Sequence, residues 1–322
     1  MPEPDPPPAD DLDLLCIGRI GVDVYPLQVG MPLEQVSTFG KFLGGSATNV
    51  AVAAARHGRR AAIVTGVGDD PFGRFARRAL RDLGVDDRFV QVDADLPTPV
   101  TFCEIFPPDD FPLYFYRRPS APDLQMTPDS LPQREIRAAR VLWTTLTGLC
   151  QQPSRAAHEA AWAARGRTRH TVIDLDYRAV FWGSETEATA AAGLALAAGT
   201  VAVGNLEECR VAVGESDPDR AAAALLERGV ELAVVKLGPR GVLAVTATDR
   251  VLCPPVPVEV VNGLGAGDAF GGALVHGLLA GWPLAETIEF ASTAGAIVAG
   301  RLECSTAMPT EAEVRAYPTG DR

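Results

Sequence analysis

The run VPVEVVNGLGAGDAFGGALVHGLLAG, residues 256–281, reads as a strand (256–261), a glycine-rich turn and a helix (269–281). Small residues in the turn (Gly263, Gly265, Ala266, Gly267) let the backbone approach a bound group closely, and unpaired N–H groups at a helix start face an anion. The carboxylate of Asp268 would share that positive field, stay ionised, and be placed to take a proton from a hydroxyl aimed at the anion. On this string alone, plain tight packing competes evenly with that role. Two other phosphate-binding patterns fail. A dinucleotide fingerprint, G-x-G-x-x-G, needs glycine where Asp268 stands and follows a first strand. The loop G-x-x-x-x-G-K-[ST] is absent, since Gly40-Lys41 is followed by Phe42.

Upstream, short runs rich in Val, Ile and Leu at 13–17, 61–65, 140–144, 171–174, 200–203 and 231–236 alternate with helical stretches. Those stretches lie at 46–58, 71–83, 153–166, 185–197 and 217–228, and Pro71 and Gly84 bracket the second of them. Strands buried on both faces and joined by helices specify an α/β/α fold around a mostly parallel sheet. Residues 19–42 and 98–118 break the alternation. Their segments VDVYPLQV, STFGKF, PVTFCEIF and FPLYFYRR are strand-like with no helix between them. They read either as excursions on the sheet rim or as a small β-layer over the strand ends. Ligands bind at those ends in open α/β sheets, so such a layer would act as a lid.

The chain has 322 residues, 47% of them apolar and 22% charged, which provides a large core and excludes wholesale disorder. Its net charge of −12 argues against nucleic acid or an anionic membrane surface as the main partner. Only Lys41 and Lys236 are lysine, so the other 27 of the 29 basic residues are arginine, and most arginines carry little information. The six cysteines are scattered without a close pair, which gives a structural zinc site no support. The opening MPEPDPPPADD reads as a disordered tail (1–11) ahead of one domain (12–318). It has no signal-peptide character, and a cytoplasmic location is expected.

Taken with other segments, the glycine turn resembles the ribokinase-like (PfkB-type) carbohydrate kinases. Their C-terminal signature D-T-x-G-A-G-D is matched by GLGAGD, with Asn262 for the leading Asp. GGSATNVAVAAARHG (44–58), VGDDPFG (67–73), NLEE (205–208) and KLGPRG (236–241) follow in family order across almost the whole chain. The resemblance implies a three-layer core with a β-sheet lid and ATP-dependent phosphorylation of a sugar. Asp268 would be the base, with the amides of Gly265, Ala266 and Gly267 around the transferring phosphoryl group. Asp23, Gly44, Gly45 and Asn49 would hold sugar hydroxyls. Asn205, Lys236, Gly238 and Gly241 would face the nucleotide, whose base is expected near 238–241 and 292–299. Glu208 would reach Mg²⁺ through water, and the resemblance leaves room for a monovalent cation such as K⁺. Structural alternatives stand beside these roles: Ser46 as a helix N-cap, Asn205 with Glu208 as a capping box, Lys236 as a solvated strand end.

Two strings bear on the substrate. LYFYRRPSAPD (113–123) is similar to the Y-R-x-G-S-A string of keto-deoxy sugar-acid kinases, with Pro119 for the glycine, and implies that Arg117 meets acid or keto oxygens. Arg118 reads better as an exposed edge-strand residue. VIDLDYRAVFW (172–182) is similar to the family's D-x-N-x-R, with Asp176 for Asn and Arg178 kept. With GRIGVDVYP (18–26) and VAVGNLEECRVAVGE (201–215), it resembles the branch acting on 5-dehydro-2-deoxy-D-gluconate in inositol catabolism. That implies phosphorylation of the terminal hydroxyl of a sugar acid held by Asp176, Arg117 and Arg178 among others. Alternatives are a 2-keto-3-deoxygluconate kinase, a fructokinase or ribokinase, and a sugar-binding regulator on the same fold. A homodimer through the lid edge is a further expectation.

Overall fold

The computed structural model describes residues 12–167 and 170–318, so the expected tail at 1–11 lies outside the described residues. In chain order the strands are β1 (Leu14–Ile17), β2 (Gly21–Pro26), β3 (Phe39–Gly44), β4 (Ala61–Gly68), β5 (Val85–Asp86), β6 (Val90–Asp93), β7 (Val100–Cys103), β8 (Leu113–Tyr116), β9 (Val141–Thr145), β10 (His170–Asp174), β11 (Val201–Asn205), β12 (Leu232–Lys236), β13 (Val242–Val245) and β14 (Arg250–Cys253). The helices are α1 (Ser46–Arg56), α2 (Pro71–Asp82), α3 (Gln133–Ala138), α4 (Ser154–Arg165), α5 (Glu185–Ala198), α6 (Leu206–Val213), α7 (Pro218–Glu227), α8 (Ala266–Ala280), α9 (Leu284–Ala299) and α10 (Glu311–Ala316).

The main sheet runs β14-β13-β12-β11-β10-β9-β1-β4-β5, with β6 also on β4. Pairings are parallel from β5 to β12, and only β13 and β14 join antiparallel. Successive side chains of a strand point to opposite faces, and the two cores follow that rule. Leu14, Cys16 and Ile63 pack towards α1, α8 and α9, whereas Leu15, Ile17 and Val64 pack towards α4, α5 and α7. A second, four-stranded sheet has the order β3-β2-β7-β8 and is antiparallel except for the β2–β7 pair. It is formed by the four segments that interrupt the strand-helix alternation. Among the described residues no helix is long and apolar enough to cross a membrane. All six cysteines are free thiols.

Three local expectations are corrected. Residues 256–261 form no strand, because Pro257, with Pro254 and Pro255 just ahead of it, removes N–H donors a ladder needs; the last strands of the sheet, β13 and β14, come before it and end at Cys253. The last long helix of the glycine-turn string starts at Ala266, not 269, because Gly265 takes the left-handed cap position at φ 81°. Asp268 therefore lies inside the first helical turn. Ser46 is no N-cap either: Gly45 is, at φ 106°.

Candidate active site

Two helix N-termini converge beyond the C-terminal ends of the parallel strands, the usual ligand-binding end of such a sheet. Gly272 of α8 packs directly on Ala53 of α1, an approach that any side chain at 272 would prevent. This brings the first turns of α1 and α8 together. Asp268 accepts hydrogen bonds from Ser46 Oγ at 2.9 Å and Asn49 Nδ2 at 2.7 Å. Burial pushes its carboxyl above the ordinary range, with the Asp176 charge adding to the rise, while Asn49, Ser46 and Lys236 oppose it. The start of α8 carries no side-chain cap, so its leading amides keep their donors for a ligand. Asn262, in the position of the family's Asp, pins the turn before it. Its Nδ2 donates to Leu302 O at 2.8 Å, and its Oδ1 accepts from Leu264 N at 3.0 Å.

Asp23 enters from β2. Tyr25 Oη donates to its Oδ2 at 2.9 Å and lies 2.7 Å from Cys304 Sγ. Burial raises the Asp23 carboxyl to about 6, against the Tyr25 hydrogen bond and Arg19. Gly44 closes against this carboxylate, where any Cβ would collide with it. Arg19, Asp23, Tyr25, Gly45, Ser46, Asn49, Arg178, Gly265, Asp268 and Cys304 line one cavity of about 50 Å³. Phe115 and Leu113 of the second sheet form another wall of it.

Strand ends supply the charged floor. Asp174 ends β10 and Asp176 follows it, and Ser46 Oγ also lies 3.3 Å from Asp174 Oδ2. Burial raises the Asp174 carboxyl, with Lys236 opposing the rise. Asp176 accepts from Thr147 Oγ1 at 3.2 Å and pairs with Arg178 Nε at 3.1 Å. Although burial works against its charge, Arg178 and Arg19 hold Asp176 below the ordinary carboxylate range. Register sets Asn205 beside Lys236 at the ends of β11 and β12. Lys236 Nζ comes so near Gly267 that a Cβ there would sit 3.2 Å from it. Burial works against the Lys236 charge, yet Glu208, Asp174, Asp268 and Asp176 raise its pKa overall. A compact ammonium thus stands beside the open amides of α8.

Other expected residues do not line this cavity. Arg117 lies off the Asp268 cavity, buried in an ion pair with Asp123 at 2.8 Å and stacked 4.9 Å from the Phe181 ring centroid. Asn205 and Glu208 form the capping box: Asn205 Oδ1 accepts from Glu208 N at 2.9 Å and Glu208 Oε2 from Asn205 N at 2.6 Å. Gly241 makes a close approach to Cys253 O that any Cβ would block, whereas the space around Gly238 is open. The 292–299 stretch ends α9, where Ala299 O accepts from Val261 N and Asn262 N, next to the glycine turn. Arg19, Tyr25, Asp174 and Cys304 join the site without having been expected there. The one signal available for Arg19 and Asp174 is their position at the C-terminal ends of parallel strands.

Residues 11–311 match the family described as pfkB family carbohydrate kinase. The chain belongs to that family. A 5-dehydro-2-deoxygluconokinase of Geobacillus thermodenitrificans (strain NG80-2) is 32% identical over 315 residues, 95% of this chain and 93% of the relative. A fructokinase double mutant from Vibrio cholerae O395, solved with fructose, ADP and potassium ion bound, superposes with a TM-score of 0.84 at 26% identity, covering 96% of this chain and 99% of that one. A putative ribokinase II from E. coli in complex with ATP and Mg²⁺ shares the fold at a TM-score of 0.85 and 22% identity, covering 94% and 98%. This pfkB-family chain is therefore a carbohydrate kinase with a ribokinase-like core and a separate small sheet. Membership agrees with the failure of the dinucleotide fingerprint at Asp268.

Proposed function

We propose that this kinase phosphorylates the terminal hydroxyl of a sugar acid, 5-dehydro-2-deoxy-D-gluconate, with ATP as donor. The observation that carries the reading is the cavity itself, in which a hydrogen-bonded carboxylate (Asp268) and arginines share one space. The name borne by the Geobacillus relative supports the choice of acid. Asp268 takes the hydroxyl proton while Ser46 and Asn49 fix its two oxygens. Asp23 and Asn49 direct the sugar hydroxyls. The first amides of α8 and Lys236 hold the phosphate charge, so positioning and electrostatics do most of the work.

Among the described residues no group of three or more His, Cys, Asp or Glu is arranged to cage a metal ion. The oxygen donors Asn205 and Glu208, at a strand end beside Lys236, suit Mg²⁺ carried on nucleotide phosphates with water ligands, where it would neutralise phosphate charge. Glu208, with one oxygen in the cap, and Asn205 are the residues that would orient those waters. The second sheet acts as a lid, formed by the segments about 19–42 and 98–118. Because about 50 Å³ holds little more than one water, the lid must lift for a six-carbon acid to enter, and its return excludes water. Its outer face exposes Phe39, Tyr114 and Tyr116, the surface through which two copies would pair in a cytoplasmic homodimer.

The test is ADP release measured with 5-dehydro-2-deoxy-D-gluconate, 2-keto-3-deoxygluconate, fructose and ribose. The first is expected to give the highest kcat/KM. Preference for a neutral sugar would overturn the sugar-acid assignment, and sugar binding without ADP formation would favour a regulator.

A further inference from the structure

Arg19, at the cavity, lies within electrostatic reach of two other guanidinium groups, Arg117 and Arg178. Both of those are committed to protein carboxylates. Arg117 is locked to Asp123 at 2.8 Å, and Arg178 reaches Asp176 at 3.1 Å. Arg19 is different. Among the described residues no carboxylate lies within ion-pair distance of it, so Asp176 and Asp23 act on it only through space. Its Nε, like Arg117 Nη1 and Arg178 Nε, is buried with no hydrogen-bond partner, but those two groups have carboxylates and Arg19 has none. It is nevertheless held in place. Its guanidinium carbon lies 5.3 Å from the Phe115 ring centroid, and its carbonyl accepts from Thr48 Oγ1 at 3.0 Å in the first turn of α1. Arg19 lines the cavity that contains Asp23, Asn49 and Asp268, whereas Arg117 does not.

A buried donor without a partner costs stability, and an unpaired guanidinium beside a ligand cavity is a site prepared for an anion. Its planar fork matches a carboxylate with two parallel hydrogen bonds. We infer that Arg19 is the specificity-determining residue for the acid group, its free fork taking the substrate carboxylate while Arg117 and Arg178 hold Asp123 and Asp176. This rests on the sugar-acid reading above. Arg19 thereby selects acids over neutral sugars at the end of the substrate away from the reacting hydroxyl, and its loss acts on binding before it acts on turnover.

The experiment compares wild type, Arg19→Met and Arg19→Gln on 5-dehydro-2-deoxy-D-gluconate and on its primary amide, with ATP binding and melting temperature recorded for each. Removing a charge-assisted contact should raise KM for the acid about ten- to a hundredfold. KM for the amide should change less than about threefold, so that discrimination between the two collapses. Arg19→Gln keeps a polar head beside Phe115 and carries the test if Arg19→Met does not fold. Equal losses on acid and amide would overturn the inference, making Arg19 a packing residue; so would unchanged discrimination in a folded variant. A wild type that prefers the amide or a neutral sugar would instead overturn the sugar-acid reading itself, whatever the variants do.

Discussion

Replacing Asp23 by Asn should weaken the enzyme and stabilise the protein in a pH-dependent way. Burial raises the Asp23 carboxyl from 3.8 to about 6. At about 1.36 kcal/mol for each tenfold change in proton affinity, the ionised carboxylate disfavours the folded state by roughly 3 kcal/mol. The folded state holds this proton more tightly than the unfolded one. The penalty is therefore absent below about pH 4, grows between about pH 4 and 6 as the unfolded chain ionises first, and is constant above that. Asparagine is neutral throughout, and its Oδ1 can still accept from Tyr25 Oη. Unfolding entropy of about 2.1 cal/mol/K per residue gives roughly 0.7 kcal/mol/K for a chain of this size, so the variant should melt about 4 °C higher at pH 8 and at the wild-type temperature near pH 4. Thermal melts across that pH range, together with KM for the sugar, make the test. A variant no more stable than wild type at pH 8, or one stabilised equally at pH 4, would refute the burial argument. An unchanged KM would remove Asp23 from the sugar site.

Asp268→Asn should keep the fold, since the amide can donate to Ser46 Oγ and accept from Asn49 Nδ2, but lose about 10²–10⁴-fold in kcat; ADP release within about threefold of wild type would end its assignment as base. Gly267→Val should crowd the Lys236 ammonium, 3.2 Å from the first atom added, and cost about 10²–10³-fold in rate with melting little changed. Full activity in that folded variant would make the turn ordinary packing. Arg117→Ala leaves Asp123 buried without its partner and should cost about 3–5 kcal/mol of stability, most of it recovered in Arg117→Met/Asp123→Leu. If stability instead holds and KM for acids rises, Arg117 meets the substrate after all.

Continuous apolar runs such as VLWTT (β9) and LAVVK (β12) are legible as strands because they are buried on both faces and end at turn residues. VPVEVV misleads for the converse reason. Its valines match a strand, but prolines at 254, 255 and 257 cannot donate to a ladder, and that deficit outweighs the composition of the run. Of the residues gathered at the cavity, Asp268 stands out by its glycine-rich turn and Asp23 as an isolated carboxylate in an apolar strand, whereas Gly45 and Asn49 are pointed to only by the family resemblance. Ser46 has the composition of a cap, and only the left-handed Gly45 shows that the cap position lies one residue earlier.

Local periodicity and backbone freedom, both written in the chain, were enough to specify the class of fold, the interrupting segments that make the second sheet, and the glycine turn with its carboxylate. They could not say which of several chemically equal arginines is spent and which is free. Arg117 sits in the string whose resemblance puts it on acid or keto oxygens, yet Asp123, six residues on, neutralises it in a buried pair. Arg19 sits in GRIGVDVYP, where the resemblance assigns a role to Asp23 and none to the arginine, yet packing on Phe115 leaves its fork unpaired at the cavity wall. A guanidinium's availability depends on which carboxylates lie within about 4 Å. Arg117 and Arg178 meet carboxylates only six and two residues away, but whether the backbone folds such neighbours into contact, and leaves Arg19 with none, is set by tertiary packing.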